Sequence, residues 1–261
     1  MDALRIAATG MMAQQRNTEL IANNLANMNT AGFQRRRSEF NDLIYKNLER
    51  PDRFPHSKAG PKVPGGIHSG LGVSQIATYR VLEQGSLYAT ENSFDMGIDG
   101  AGYLQIQLPN GQMAYTRDGT LQLNAQGAIV TADGYPIEPS ITIPGDTVDV
   151  TINVRGEVLA LLDGETEPEN LGVIQLAIFP NAGGLRSEGN NLFSATEASG
   201  EPLIGQSGGT GFGTLMQGFV ERSNVNPVEE ITHLITAQRH YEMNSKVIAT
   251  AEQMMTPAKN R

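Results

Sequence analysis

Hydrophobic residues recur at alternating steps of three and four at the two ends of this chain, and in a different rhythm between them. Leu4, Ala8, Met11, Gln15, Thr18, Ala22, Leu25 and Met28 mark one stripe; Ile231, Leu234, Gln238, Tyr241, Ser245, Ile248 and Met255 mark another, with Ile235 beside it. That period predicts helices over Leu4 to Met28 and Val228 to Met255, each roughly 35 to 40 Å long at about 1.5 Å per residue. A seam this narrow, with Gln15, Thr18, Gln238 and Ser245 in it, buries too little to stand alone. Two arrangements would satisfy it: a helical hairpin closing a monomer, or a layer shared between subunits. The small and polar members of the seam favour assembly.

The middle of the chain reads as turns and short strands. From Lys46 to Gly72, prolines 51, 55, 61 and 64 and five glycines exclude a regular helix, which leaves a flexible linker or an arm ordered only against another subunit. Val73 to Leu82 follows with strand character. Asn110-Gly111, Asp118-Gly119, Gln126-Gly127 and Asp133-Gly134 then punctuate the chain as hairpin turns. Between them Leu104, Ile106 and Leu108, then Leu121 and Leu123, alternate with Gln, the pattern of an antiparallel sheet with one wet face. Further strands are expected at Ile141 to Ile143, Val148 to Val154, Glu157 to Leu162 and Val173 to Phe179. The fold class is therefore mixed α and β: paired N- and C-terminal helices in a coiled-coil-like layer, an extended Pro/Gly-rich arm and an inserted all-β domain. The expected divisions are residues 1–45 (N-terminal helix region), 46–83 (arm and connecting strand), 84–205 (β domain) and 206–261 (Gly-rich linker and C-terminal helix).

Composition narrows the chemistry. The chain has 261 residues and no Cys, which excludes a disulfide scaffold, thiol catalysis and thiolate metal sites. The start, with Asp2 and an amphipathic pattern, does not read as a cleaved signal peptide, and no stretch approaches the ~20 apolar residues of a membrane span. Charge is divided: residues 1–62 hold ten Lys or Arg against six Asp or Glu, and residues 81–220 hold three against seventeen. Arg35, Arg36 and Arg37 form a short basic run with Phe33 as its close aromatic, a weak footprint for nucleic acid. The better match is that the three arginines are solvated or pair with acidic surfaces of neighbouring copies.

Catalytic patterns fail on context. Gly205-Gln206-Ser207-Gly208-Gly209 fits G-x-S-x-G but sits in a run of glycines, without the strand-to-helix turn a nucleophile elbow needs. His233 and His240 share a helix face, yet Glu230 and Glu242 do not complete a zinc-binding H-E-x-x-H pattern. Asp95, Asp99, Asp118 and Asp133 follow no calcium-loop spacing and read as turn residues. No enzyme, metal site, cofactor or small-molecule substrate is expected. A secreted β-rich adhesin or binding module is the other reading, with the β domain as its working part.

The string Asn23-Asn24-Leu25-Ala26-Asn27-Met28-Asn29-Thr30-Ala31-Gly32-Phe33 resembles the N-terminal signature of the rod and hook axial proteins of the bacterial flagellum. The run Gly218-Phe219-Val220-Glu221, Ser223-Asn224-Val225, Glu229-Glu230 and Gln238-Arg239-His240-Tyr241-Glu242-Met243-Asn244-Ser245-Lys246 is similar to the other end of that family. Length, together with Asp95-Met96-Gly97-Ile98-Asp99-Gly100-Ala101-Gly102-Tyr103 and Tyr115-Thr116-Arg117-Asp118-Gly119, looks like its distal-rod members, the proximal-rod and hook-type subunits being the nearest alternatives. The tail departs from the family: Pro257 is expected to stop a helix that usually continues.

The resemblance implies a mechanical role. The terminal helices would pair and line a channel, with Leu4, Met11, Ala22, Leu25, Met28, Ile231, Leu234, Ile235, Tyr241 and Ile248 at the subunit interface. Copies would stack as a helical homopolymer, a rigid tube carrying motor torque across the periplasm to the hook. The implied partners are proximal-rod and hook subunits, the P- and L-ring proteins, a rod cap and the type III export apparatus. Phe40-Asn41-Asp42-Leu43-Ile44 resembles the export-gate motif of early substrates, with Phe40 and Ile44 as its anchors; the alternative is that Phe40, Leu43 and Ile44 pack where the helix meets the arm.

Overall fold

The computed structural model describes residues 2–49, 67–165 and 167–259. Both periodic ends are helical: α1 spans Asp2–Ala26 and α2 spans Pro227–Lys259. Pro227 occupies the first helical position, where its missing N–H costs nothing, and Glu229 and Glu230 place negative charge in the first turn. α1 ends in a turn closed by the Thr30 N–H on the Asn27 carbonyl at 3.2 Å. The expected stop at Pro257 is not observed, since α2 runs to Lys259. Proline removes one donor but holds a helical φ of about −65° itself, so a proline in the last turn does not have to end the helix.

The chain divides into two compact units. The first comprises residues 1–25, 36–79 and 227–261. With the helices it contains β1 (Arg36–Asp42), β2 (Tyr45–Glu49), β3 (Ile67–Gly70) and β4 (Val73–Arg80) up to Tyr79. β1 pairs with β4, and β2 with β3 in antiparallel register. The Pro-rich part of the expected arm, residues 50–66, lies outside the described residues.

The second unit, residues 26–35 and 80–226, is all β apart from one short 3-10 turn. It begins with β5 (Leu87–Ala89), β6 (Met96–Asp99), β7 (Tyr103–Gln107) and β8 (Met113–Thr116). A seven-stranded sheet runs in the order Arg186–Gly189, Leu192–Ser194, β8, β7, Gln175–Ile178, Leu203–Gln206, with Ile137–Glu138 also pairing β7. Leu104 stands opposite Thr116 and Leu176, and Ile106 opposite Ala114.

The expected wet face is covered at Gln105, while Gln107 and Gln122 are exposed as expected. Leu104 packs with Met96, Ile98, Leu121, Ile129 and Leu215 in the main core, and Tyr103 joins Tyr115, Leu185 and Phe193 in a second cluster. Tyr115 and Phe179 meet edge to face at 4.8 Å. Gln105 is consequently 3 % exposed despite its polarity. At Gln105 the alternation looked like a solvent face because the aromatic cluster on that side also draws Phe179 and Phe193 from far along the chain.

Three of the four turn dipeptides behave as read: Gly111, Gly127 and Gly134 have φ of +78°, +79° and +84°. Asp118-Gly119 does not form a hairpin turn. Gly119 lies where its carbonyl accepts the Met96 N–H at 2.9 Å. Ile141 and Ile143 are buried plugs flanking the single bridge Ala128 to Thr142, not a strand. The run from Val173 to Phe179 is broken at Ile174, whose N–H turns to the Gly156 carbonyl at 2.7 Å, so its halves join different sheets.

Candidate functional site

The N-terminal signature is a hydrogen-bonding device at the end of α1. Asn24, 1 % exposed, accepts the Arg36 N–H at 2.9 Å and donates to the Arg36 carbonyl at 2.8 Å. Its carboxamide thus pairs with that peptide as a strand neighbour would, and Nδ2 also lies 3.3 Å from the Glu230 carboxylate in the first turn of α2. A buried donor and acceptor paired in this way are costly to remove. Around Asn24, Asn23 and Ala26 are exposed and Leu25 and Asn27 half-buried.

The rest of the signature belongs to the second unit. Gly32 has φ +66°, and a Cβ there would lie 2.7 Å from the Arg117 backbone, so the loop tolerates only glycine at this close approach. The Gly32 N–H donates to the Glu221 carbonyl at 2.9 Å, and Asn191 donates to the Ala31 carbonyl at 2.8 Å. Thr30 donates to the Asn27 side chain at 3.2 Å. Phe33 is half-buried. Asn224 accepts from the Arg35 N–H at 2.7 Å and donates to the Val81 and Glu83 carbonyls at 3.0 and 2.8 Å, tying residues 33–35 to 81–83. Beneath this loop Arg117 and Glu221 form a buried ion pair at 2.7 Å. The two residues are 104 positions apart, so no local pattern in the sequence links them.

Asp118, next to that pair, has its carboxyl pushed up from the ordinary range. Burial is the main cause and nearby Asp95 adds to it, against bonds from Thr120 and Asn191 that favour the charge. The folded state therefore holds this proton more tightly than the unfolded chain, and stability falls as pH rises above about 3.9, the unfolded value. An asparagine at this position would keep an acceptor for Thr120 and never ionise. Asp118→Asn is therefore expected to melt higher than wild type at pH 7 and to lose that advantage near pH 3; an advantage independent of pH in thermal melts would contradict this.

The terminal helices present the other candidate surface. α1 buries Ala7, Ala13, Ile21 and Asn24, leaving Leu4, Met11 and Leu25 half-buried and Ala22 exposed, while Met28, expected on the helix, lies in the turn after it and is 38 % exposed. α2 buries or half-buries Glu230, Leu234, Ala237, Asn244, Ile248 and Ala251, a stripe stepping by three, four or seven. The helices approach closely at Gly10, where a Cβ would lie 2.8 Å from Asn244 Nδ2. Gln15, Thr18, Glu19, Gln238, Tyr241 and Glu242 line a cleft of about 350 Å³.

A second apolar stripe lies on α2. Val228, Ile231, Ile235, Met243, Val247 and Met254 are 45 to 74 % exposed. At about 100° per residue they spread over roughly 160° of the half of the helix opposite the buried stripe, with Arg239, Glu242 and Lys246 among them. Tyr241, 44 % exposed, lies on the side of the buried stripe, between Leu234 and Ile248. Arg239 and Lys246 are exposed. Phe40 is half-buried within β1, while Ile44 is 81 % exposed, so Ile44 does not pack at a junction.

The residues weighed for catalysis serve structure. The Ser207 hydroxyl donates to the Val154 carbonyl at 2.7 Å. His233 faces Glu229 at 3.6 Å one turn away, and Asp95 accepts from Thr90 and Asn92 within its own turn. Among the described residues no group of three or more His, Asp or Glu is placed to hold a metal ion, and no helix is long and apolar enough to cross a membrane.

Comparison with known proteins gives one answer along the chain. Residues 4–34 match the family "Flagella basal body rod protein", 97–160 the "Flagellar hook protein FlgE/F/G D1 domain" and 216–260 the "Flagellar basal body rod FlgEFG protein C-terminal". These define the class as rod and hook axial subunits. "Flagellar basal-body rod protein FlgG" of Caulobacter vibrioides is 52 % identical over 98 % of this chain and 97 % of its own length. Its counterparts in Agrobacterium fabrum and Bacillus subtilis are 47 % and 34 % identical, over 97 % and 95 % of this chain and 97 % and 94 % of their own. The chain belongs to the flagellar basal-body rod protein family, as a structural subunit of the distal-rod type.

Proposed function

We propose that the chain polymerises into a rigid tubular helical shaft that carries motor torque across the periplasm to the hook. The observation that supports this is the pair of opposed apolar stripes on α2. One is buried within the chain; the other leaves Val228, Ile235, Val247 and Met254 to water. Six exposed apolar side chains on one half of a helix of 33 residues are a surface of the kind that marks an interaction site. In this reading α1 and α2 pair as a coiled-coil-like layer, and neighbouring copies cover the outward stripe and the half-buried Leu4, Met11 and Leu25. Contacts that do not close on themselves extend into a filament. Residues 1–45 and 206–261 make the inner layer, 46–83 the arm and 84–205 the outer body.

The work is mechanical and involves no reacting group. Proximal-rod and hook subunits would adjoin the two ends of the polymer, the P- and L-ring proteins surround it and a rod cap guide its growth. Export would run through the type III apparatus, with Phe40 and the exposed Ile44 as the gate motif. Ile235→Asp is expected to reduce filament yield on purified rod tips by at least about tenfold, because it sets a charge in a seam that assembly desolvates. Electron microscopy reads the yield and circular dichroism the fold of the body. Wild-type yield from a folded variant would exclude the seam.

A further inference from the structure

All the sulfur of this chain is thioether: it has ten Met and no Cys. The methionines are divided between two environments. Met96 is fully buried in the main core, and Met113 and Met216 are half-buried in the β body. Met12 on α1 and Met243 and Met254 on α2 are instead 58, 53 and 72 % exposed. Unbranched and polarizable, methionine packs adaptably against a partner surface. The same exposure opens its sulfur to oxidants, which turn a flexible apolar side chain into a polar one.

On α2 the two exposed methionines share a patch. Met243, Val247 and Met254 are all exposed and fall within about 40° of one another around the helix. Around Met254 the helix offers an added oxygen nothing to accept from. The Thr250 hydroxyl, four residues before it, is already donated to the Lys246 carbonyl at 3.0 Å, and Ala251 carries no donor. In the free chain, water satisfies a sulfoxide at this position. Under a neighbouring copy the oxygen goes unpaired, which is the costly case for a polar group taken out of water.

We propose that Met243 and Met254 are sites of reversible oxidation whose sulfoxides keep the free chain from joining a filament. The forward step is a two-electron oxygen transfer from a peroxide. The Sδ lone pair takes one oxygen of hydrogen peroxide as the O–O bond breaks; the thioether is oxidised to the sulfoxide and the peroxide is reduced to water. The reverse step oxidises two thiols to a disulfide, releases the oxygen as water and restores the thioether. A copy already in a filament has these side chains covered, so the free chain is the vulnerable form. The inference rests on the assembly reading above and adds a chemical control to it.

The test treats the full chain with hydrogen peroxide, maps each methionine by mass spectrometry and offers the protein to purified rod tips. Met243 and Met254 are expected to oxidise roughly tenfold faster than Met96. Filament yield is expected to fall roughly tenfold, and to return after methionine sulfoxide reductase and a dithiol have acted. The full chain carrying Met243→Leu and Met254→Leu, swaps that keep the apolar volume, is expected to hold its yield through the same treatment. If that variant grows poorly even untreated, recovery of the wild type by the reductase decides. Equal oxidation of Met96, an undiminished yield, no recovery with the reductase, or an equal loss in the double variant each overturns the inference. The untreated wild-type chain scores the assembly reading separately. Growth that oxidation leaves untouched removes the methionine sites alone, and failure of the untreated chain to grow removes the assembly and these sites with it.

Discussion

Arg117→Met is expected to cost the β body about 3 to 5 kcal/mol, the typical loss when one partner of a buried ion pair is removed. The guanidinium is engaged on every side. Nε donates to Glu221 at 2.8 Å, Nη1 to the Gly102 carbonyl at 3.0 Å and Nη2 to the Gly100 carbonyl at 3.1 Å. Glu221 is 3 % exposed, and its other oxygen accepts the Gly85 N–H at 3.0 Å. Methionine fills much of the volume but leaves a carboxylate in the interior with one backbone donor and no cation. A domain is stable by only about 5 to 15 kcal/mol in total, so the loss takes a large share. Arg117→Met/Glu221→Leu should recover part of it, because the stranded charge is then gone. Urea titration of the three proteins, followed by aromatic fluorescence, measures both effects. A single mutant within about 1 kcal/mol of wild type would mean that the pair does not hold the body together.

That pair also marks the limit of what the chain discloses before folding. Local rules served where one element decides its own state. The terminal helices follow from a 3.6-residue period, and Glu157–Leu162 has the bounds its apolar run suggests. Local rules misjudged faces, because a face is defined by what covers it. Gln105 reads as solvent-exposed until Tyr103 and Tyr115 are known to meet Phe179 and Phe193 from far along the chain. On α2 the periodicity shows a seam but not that the helix carries two opposed ones, since a helix apolar on both sides blurs the period that identifies either. The hydrogen bonds of Asn24 and Asn224 and the Arg117–Glu221 pair join residues 12 to 206 positions apart. All of these side chains lie in the segments that resemble the family, but no spacing rule connects positions so distant.

Gly119→Ala is expected to be nearly as damaging as the loss of Arg117, for a reason that has nothing to do with turns. Gly119 does not have positive φ. A methyl there would drive into the carbonyl group of Met96, whose N–H is bonded to the Gly119 carbonyl, so relief requires separating two backbone segments. Met96 is fully buried in the main core, and the displacement has no slack to enter in an interior packed to crystal density. A loss of about 3 kcal/mol or more is expected, within the range of backbone clashes and overpacking. Two other glycines supply the scale. Gly111 has φ +78° and a methyl on its Cα would meet nothing within 4 Å, so Gly111→Ala should cost only the left-handed conformation, about 1 kcal/mol. Gly145 has open space and no positive φ, so Gly145→Ala should change stability by under about 0.5 kcal/mol. Denaturation midpoints of the three variants should fall in that order. If Gly119→Ala proves no worse than Gly111→Ala, then Asp118-Gly119 acts as a turn after all, and the close approach of Met96 to residue 119 is not a fixed feature of the body.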